Sequence, residues 1–510
     1  MYQTTRHLVR WSTSFVVVLC GCATVNPRLD YERAGRHVTE ATGQTQVYRP
    51  EEEERVEGLV QELLVDGLTS DEAARICLLN NPGLQAAFMN VGMARADVVQ
   101  AGLLSNPSLG ISVQLPAGGG LVNLEGALAQ NIADLWQIPA RRRAAERSLD
   151  RAVLELAREA ADLATDAKVT YFEAVGADGL HHIAVENHGI ARSLLELALA
   201  RQQAGEAAEL EVNLSRSFAL EAELAVEAAR LGASDARRGL AALLGIGGDA
   251  DELVLLDGLP DVPPQVPDPE GVIELARRQR LDIQAARQMV SVAEARLQEE
   301  RWRLFPAVEI GVGLEREARE REEGRDILAD TARASIANGG LTAPSIQPRS
   351  ERGQSMDFII GPSLDIELPI FDQNQAQIAK AEYACQQARK TLEALDRAVV
   401  QEVRAAVDGA LTAWRLAEAY RARAIPLAEA NLELSRESYR AGRASFLAVL
   451  EAERFYLASR SRYVRAAQAA ATKVPELERA AGLPLSSIKA ELEGETMGDD
   501  GGFRFEEDGE

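Results

Sequence analysis

LQAAFMNVGMARADVVQAGLLSNPSLGISV, from Leu84 to Val113, has a counterpart 199 residues later (283 − 84) in IQAARQMVSVAEARLQEERWRLFPAVEIGV, from Ile283 to Val312. In each stretch an apolar pattern typical of a helix ends before a proline. Alternating apolar residues, typical of a strand, then follow. A duplication of this length predicts two structural repeats within one chain.

Two pairs of glycines continue the correspondence downstream. Ala204-Gly205 matches Ala441-Gly442, and Leu244-Gly245 matches Ala481-Gly482, with an offset of 237 residues each time (441 − 204 and 481 − 244). The extra 38 residues (237 − 199) fall within residues 316–356, which are very polar. This composition predicts an enlarged, solvated loop between the two strands of the second copy.

Each copy contains two stretches with the period of a β-strand. Leu109, Ile111 and Val113 alternate with Gly110 and Ser112, which predicts one apolar and one polar face. Strands of about ten residues can cross a membrane when tilted. The expected strands are 109–115, 122–132, 308–314 and 358–368, with a turn at 116–120 after the first.

Helical patterns occupy most of the remaining chain. Thr69 and Glu72 predict a capping box at a helix start, and Asn81-Pro82 predicts a break. The pattern from Pro139 to Gln203 would reach roughly 95 Å at ~1.5 Å per residue, and such Ala-rich helices pack as antiparallel coiled coils. The other expected helices return to Leu244, cover 270–303, cover 373–441 with a kink at Pro426, and return to Ala481.

The N-terminus has the order of a secretory signal. Arg6 and Arg10 precede an apolar run too short to span a bilayer, and the run ends in Leu19-Cys20-Gly21-Cys22. This ending resembles a bacterial lipobox, which implies lipidation of Cys22 and sorting to the outer membrane. The alternative is an ordinary signal peptide with an incidental cysteine. Two further cysteines, Cys77 and Cys385, would then form one disulfide or remain two buried thiols.

These features divide the chain into six segments. They are a signal peptide (1–21), a lipidated N-terminal arm (22–68), a first repeat (69–246), a Pro- and Gly-rich linker (247–269), a second repeat (270–484, with the insertion 316–356) and an acidic, disordered tail (485–510).

Composition excludes several classes of function. The net charge of −24 argues against a nucleic-acid partner. We find no GxSxG, no HExxH and no phosphate-binding Gly loop, so we expect neither an enzyme nor a cofactor. His181, His182 and His188 lie on one predicted helix and could be metal ligands or polar surface residues, and no carboxylate or cysteine completes an obvious site.

Four membrane strands are too few to close a barrel, because their edges would be unsatisfied in lipid. The chain is therefore expected to oligomerise, and three protomers would supply twelve strands. The predicted fold is mainly α with a membrane β-barrel portion, built from two repeats of helix, β-hairpin, long helix and long helix in a trimeric channel.

Six pieces of the chain, in order, carry a family resemblance: NPGLQAA (81–87), SNPSLGISV (105–113), RLDIQAARQMVSVAEARL (280–297), LFPAVEIGVG (304–313), LPIFD (368–372) and YRAGRASFLAVLEAERFYL (439–457). Through these pieces the chain resembles the TolC-like outer-membrane efflux proteins over about residues 70–483. The resemblance implies a homotrimer in the cell outer membrane with a twelve-strand barrel and a long helical periplasmic tunnel. It also implies a periplasmic adaptor and an inner-membrane pump of the resistance-nodulation-division type, which together export drugs, metal cations or other small solutes.

The resemblance also implies a periplasmic gate. It assigns Gly205 and Gly442 to the helix turns at the periplasmic tip, and Leu447 and Glu451 to a hydrophobic and an acidic constriction ring. The alternative for Glu451 is an ion pair with Arg443 or Arg454 on a solvated helix surface. The chain departs from the family at residues 135–139, which read LWQIP where the family has lwGkR, and in the long insertion.

Two other functions stay open from the sequence. One is the exit duct of a type I protein secretion system, against which lipidation counts weakly. The other is a periplasmic coiled-coil lipoprotein without a pore, which would have no use for paired amphipathic hairpins.

Overall fold

The computed structural model describes residues 23–114, 122–260, 268–304, 308–320, 325–342, 354–488 and 490. The strands are β1 (Ser108–Gln114), β2 (Asn123–Asn131), β3 (Val308–Glu320) and β4 (Gln354–Ile366). The helices are α1 (Arg28–Thr42), α2 (Glu53–Val65), α3 (Ser70–Asn80), α4 (Pro82–Ala101), α5 (Asp134–Gln203), α6 (Glu209–Leu244), α7 (Pro269–Gln279), α8 (Leu281–Trp302), α9 (Arg325–Ala337), α10 (Gln375–Ala419), α11 (Ile425–Arg440) and α12 (Phe446–Ala481).

Several predicted features lie outside these residues. They are the signal segment with Cys22, the turn at 116–120 and nearly all of the tail from residue 489 onward. The described chain divides into two units. The sheet unit comprises the described residues within Val98–Ala145 and Ala293–Cys385, and the helical unit comprises those within Met1–Asp97, Glu146–Val292 and Gln386–Glu510.

The sheet unit contains one antiparallel sheet in the order β1-β2-β3-β4. Leu109 lies opposite Leu128, Leu128 opposite Val312, and Ile310 opposite Leu364. Cross-strand partners share a face, so the register collects the apolar side chains on one face of the sheet. These side chains are exposed in the single chain: Leu109, Ile111, Val113, Leu128, Ile310, Val312, Leu314, Phe358, Ile360, Leu364 and Ile366.

The second hairpin is longer than the sequence predicts. β3 continues to Glu320 and β4 begins at Gln354, with these two residues as cross-strand partners. Helix α9 lies between the strands in sequence. Much of the predicted loop at 316–356 is therefore regular structure. The extension has no alternating apolar pattern, so the sequence does not predict it. Backbone hydrogen bonds between paired strands form without apolar side chains.

The helices differ from the expected ones at two prolines and one arginine. Helix α5 begins at Asp134 and includes Pro139, because the missing N–H of one proline near a helix start costs a single hydrogen bond. The expected helix 270–303 is interrupted at Arg280, which has ψ 126°. A π-helical turn, Tyr420–Ala424, ends two residues before Pro426, the residue at which the sequence predicts a kink.

Helix α3 begins as predicted. The Thr69 side chain accepts from the Glu72 N–H, and the Glu72 carboxylate accepts from the Thr69 N–H at 2.9 Å. Among the described helices, none combines the length and the apolarity needed to cross a membrane.

The residues before α3 are packed into the helical unit. Asp30 of α1 is buried and accepts two hydrogen bonds from the Arg95 guanidinium, at 2.6 and 2.7 Å. The rings of Tyr31 and Tyr48 lie 5.7 and 5.5 Å from that of Phe88. The N-terminal segment is thus held by a bidentate ion pair and an aromatic cluster.

Part of the predicted linker is also held in place. Leu68 and Leu255 form an isolated parallel bridge. The Tyr171 hydroxyl donates to the Leu68 carbonyl and accepts from the Asp257 N–H, at 2.8 Å each. A buried hydroxyl with both partners satisfied stabilises this junction.

Two long helices end at glycines packed against the start of their own half. Gly245 caps α6 at φ +70°, and a Cβ there would lie 2.5 Å from the Asn80 carbonyl oxygen. Gly482 caps α12 at φ +79°, and a Cβ there would lie 3.0 Å from the Arg280 Cα. Only glycine accepts both the left-handed backbone and the close approach.

We predict that Gly245→Ala lowers the thermal unfolding midpoint of the purified protein. The added methyl group combines a left-handed backbone cost of about 1–2 kcal/mol with overlap at Asn80. The matched control is Gly239→Ala, also in α6, where a Cβ meets open space. That change should be neutral or stabilise by up to about 1 kcal/mol. Equal midpoints for the two variants would contradict the packing argument.

Candidate functional site

Two tight turns of similar geometry connect the long helices of the helical unit. Gly205 lies between α5 and α6 at φ +76°, and Gly442 lies between α11 and α12 at φ +71°. In each turn the residue after glycine donates its N–H five residues back, from Glu206 to the Arg201 carbonyl at 2.9 Å and from Arg443 to Ser438 at 2.8 Å. Both glycines therefore supply a left-handed helix ending.

A charged network joins the two turns. The Tyr439 hydroxyl donates to Glu211 at 2.5 Å, and Arg201 donates to the same Glu211 oxygen at 3.2 Å. The Arg201 guanidinium also lies 4.8 Å from the centroid of the Tyr439 ring. Tyr439 is on α11, whereas Arg201 and Glu211 flank the Gly205 turn. The contact is therefore a charge-assisted link between turns that are 237 residues apart.

An apolar seam continues this link away from the turns. Leu450 and Leu457 of α12 belong to one buried cluster with Ile183 of α5 and with Phe218 and Ala219 of α6. Burial of each leucine, isoleucine or phenylalanine side chain in this cluster contributes about 1.5–3 kcal/mol. We call this cluster the hairpin seam, since it joins the α11–α12 hairpin to α5 and α6.

Ion pairs flank the hairpin seam. Arg454 of α12 contacts Glu221 of α6 at 2.8 Å. Arg460 of α12 contacts Glu186 of α5 at 2.6 Å. These pairs are partly or largely exposed, so each contributes orientation more than stability.

The two residues predicted to narrow a pore lie at the start of α12. Leu447 is half-exposed. The Glu451 side chain is 64% exposed, and its carboxylate lies 3.9 Å from Arg454, whose nearer partner is Glu221 at 2.8 Å. Within one chain, about half of Leu447 and most of the Glu451 side chain therefore remain accessible.

Sequence reasoning missed a buried carboxylate beside these residues. Glu453 is 0% exposed, and its Oε2 accepts a hydrogen bond from Arg436 of α11 at 2.8 Å. Its other oxygen, Oε1, has no hydrogen-bond partner. Burial raises the pKa of Glu453 above its usual value, and Arg436 opposes that rise. The available signal was its position between Leu450 and Leu457 on one helix face.

The other candidate residues do not form a site with one another. His182 lies 3.5 Å from Glu186, and no group of three His, Cys, Asp or Glu side chains in the described part of the chain is arranged to hold a metal ion. Cys77 and Cys385 are both buried and do not form the disulfide that the sequence left open. Burial raises the pKa of Cys77 to about 12, and its Sγ lies 3.3 Å from the Leu243 carbonyl oxygen.

The residues around the turns are arranged for the movement of helices more than for catalysis. It contains a glycine-ended turn in each hairpin, one charge-assisted link between them, and an exposed apolar and an exposed acidic side chain on one helix. Such a set can hold two helical hairpins together or let them separate.

Comparison with known proteins places these features in context. The model of the outer membrane efflux protein family matches residues 74–246 and 272–483. A curated relative, protein CyaE of Bordetella pertussis, is 28% identical over 299 residues, which cover 55% of this chain. The alignment spans 60% of the length of that relative.

Solved structures share the fold. The Campylobacter jejuni CmeC outer membrane channel has a TM-score of 0.63 at 16% identity, covering 86% of this chain and 91% of that one. The open state of the Neisseria gonorrhoeae MtrE outer membrane channel has a TM-score of 0.59 at 17% identity, covering 81% and 88%.

We predict that Tyr439→Phe loosens both turns. Loss of a hydrogen bond to a charged group costs about 1.5–3 kcal/mol, which corresponds to roughly tenfold or more in local opening. Hydrogen exchange of the amides at 204–208 and 441–445 should accelerate accordingly. Tyr383→Phe, at an exposed ring on α10, serves as the control. Unchanged exchange at residues 204–208 would show that the link does not hold the turns.

Proposed function

Because the chain belongs to the outer membrane efflux protein family, we propose that it forms the outer-membrane channel of a tripartite efflux pump. In this role it is a passive conduit that carries small solutes, either drugs or metal cations, from the periplasm or the pump to the exterior. The family match covers both halves of the chain, which supports one channel architecture across its length.

The observation that carries this proposal is the one-sided sheet. Its apolar face is exposed over all four strands, and the opposite face carries residues such as Ser112, Glu125 and Glu315. A face of this kind suits lipid on one side and water on the other. A coiled-coil spacer without a pore would gain nothing from such a face.

The sheet also supports oligomerisation. In the described chain β1 and β4 each pair on one side only, and lipid offers no substitute for the missing backbone partners. Three copies would place twelve strands around an axis and close the sheet into a barrel. In this proposal residues 69–246 and 270–484 are the two structural repeats, and residues 316–356 enlarge one hairpin.

We place the gate at the paired turns. Leu447 would form an apolar ring and Glu451 an acidic ring where three α12 helices meet, with Gly205 and Gly442 at the tips of the hairpins. A ring of three carboxylates repels itself when closed and favours cations when open. The exposure of both side chains in the single chain supports this placement.

The proposed partners follow from the same architecture. A channel in the outer membrane needs an adaptor in the periplasm and an energised transporter in the inner membrane, here proposed to be of the resistance-nodulation-division type. Lipidation at Cys22 would add an acyl anchor to the membrane-spanning barrel. A deletion strain tested against a panel of metal salts and drugs identifies the class of exported solute.

We expect Leu447→Ala to raise the conductance of the purified protein in planar lipid bilayers, because it widens the apolar constriction. Glu451→Gln should lower the preference for cations over anions by removing three charges from the narrowest ring. Glu429→Gln, an exposed carboxylate on α11, provides a matched control that should leave selectivity unchanged.

Two results would count against this proposal. Wild-type conductance and selectivity in both gate variants would move Leu447 and Glu451 out of the pore. A native mass of a single protomer in mild detergent would remove the channel itself, since one chain does not close the sheet.

Lipidation has its own test. We expect Cys22→Ser to abolish incorporation of labelled palmitate in cells, because the thiol is the acceptor of the lipid. Cys20→Ser is the matched control, two residues away, and should be labelled like the wild type. Labelling of the Cys22→Ser protein would assign the lipid to another residue or the segment to an ordinary signal peptide.

A further inference from the structure

A fully buried, half-satisfied carboxylate lies in the hairpin seam. Leu450, Glu453 and Leu457 are spaced three and four residues apart and share one face of α12. The two leucines pack in the seam cluster with Phe218 of α6. Glu453 lies between them with 0% exposure, and its Oε1 lacks a hydrogen-bond partner.

Arg436 is the charged partner of the Glu453 carboxylate. Arg436 of α11 donates to Oε2 at 2.8 Å and lies 4.0 Å from the exposed Glu433. The ionisable groups that reach the seam from α5 and α6 have partners of their own: Glu221 with Arg454, Glu186 with Arg460, and Glu211 with Arg201 and Tyr439.

We call the state in which the α11–α12 hairpin packs on α5 and α6 the docked state. Ionisation of Glu453 therefore raises the free energy of this docked state. A buried carboxylate oxygen without a donor loses its hydration and regains nothing. Separation of the α11–α12 hairpin from α5 and α6 would admit water to Oε1. Protonation lowers this cost without separation, because a neutral carboxyl group costs less to bury than a carboxylate.

We propose that Glu453 is a gating residue whose protonation holds the two helical hairpins together and whose ionisation favours their separation. This inference rests on the proposed function, in which the hairpins surround the pore. Movement of the hairpins would then open or close it. It assigns pH dependence to the gate and places its origin in the seam, away from the exposed Glu451 ring.

The sign follows from linkage. Burial raises the pKa of Glu453 in the docked state above that of the water-exposed group, so the docked state binds the proton more tightly. Acid therefore favours docking, and the docked advantage is lost as the pH rises through the raised pKa. One proton per protomer changes the ratio of separated to docked forms by at most about tenfold per pH unit.

The test measures open probability in planar bilayers as the pH is lowered from neutral. Wild type should close progressively. Glu453→Gln should stay near the low-pH level of the wild type at every pH, because the amide has the shape of the acid and never ionises. Glu433→Gln, which changes the outer neighbour of Arg436, should respond like the wild type. Arg436→Gln should move the closing midpoint to higher pH, because it removes the charge that opposes protonation.

Hydrogen exchange of the amides of residues 446–460 measures the same docking and does not depend on channel formation. The rates are corrected for the chemical effect of pH on exchange. Protection that rises in acid for the wild type but not for Glu453→Gln supports the inference. A wild-type pH response in a conducting Glu453→Gln trimer overturns the inference and leaves the proposed function intact. If the wild type forms no channel, the proposed function fails, and exchange that is insensitive to Glu453 overturns the inference independently.

Discussion

An antiparallel sheet with two open edges and one apolar face is the constraint on which the rest of this protein depends. Within the described residues, β1 and β4 each have a single neighbour, and the apolar row from Leu109 to Leu364 has no cover. Water would penalise the apolar face and lipid would penalise the open edges. In either medium, part of the sheet of a single chain stays unsatisfied. The long helices, by contrast, bury their own seams within the chain.

Much of the fold was predictable because its signals are local. Glycine at a left-handed helix end and the Thr69 capping box are short-range features that a sequence displays directly, and the resemblance to outer membrane efflux proteins is confirmed by the family match. The differences come from interactions that a pattern does not display. The break at Arg280 coincides with a guanidinium held by Asp282, Glu402 and the Ala480 carbonyl. The polar extension of β3 is paired along its backbone with β4.

The candidate site divides in the same way. Its turns and the exposed position of Glu451 follow from glycine placement and helix periodicity. The Tyr439–Glu211 hydrogen bond joins residues that are 228 positions apart. The local sequence around either residue does not predict this contact. Glu453 is intermediate, because a charged residue at an apolar position of a helix face is visible in the sequence. What it meets there, one arginine and no second donor, becomes evident only when the helices are packed.

The close packing of Gly245 on Asn80 and of Gly482 on Arg280 has a consequence for how such proteins change in length. Each half of the chain runs out along one helix and comes back along another to a fixed meeting point. An insertion of seven residues in the outgoing helix requires an insertion of seven residues in the returning helix. Without it, Gly245 or Gly482 no longer reaches the residue against which it packs. Paired insertions leave both glycine contacts unchanged. Evolution can thus lengthen or shorten the helical unit in matched steps without disturbing the two glycine contacts.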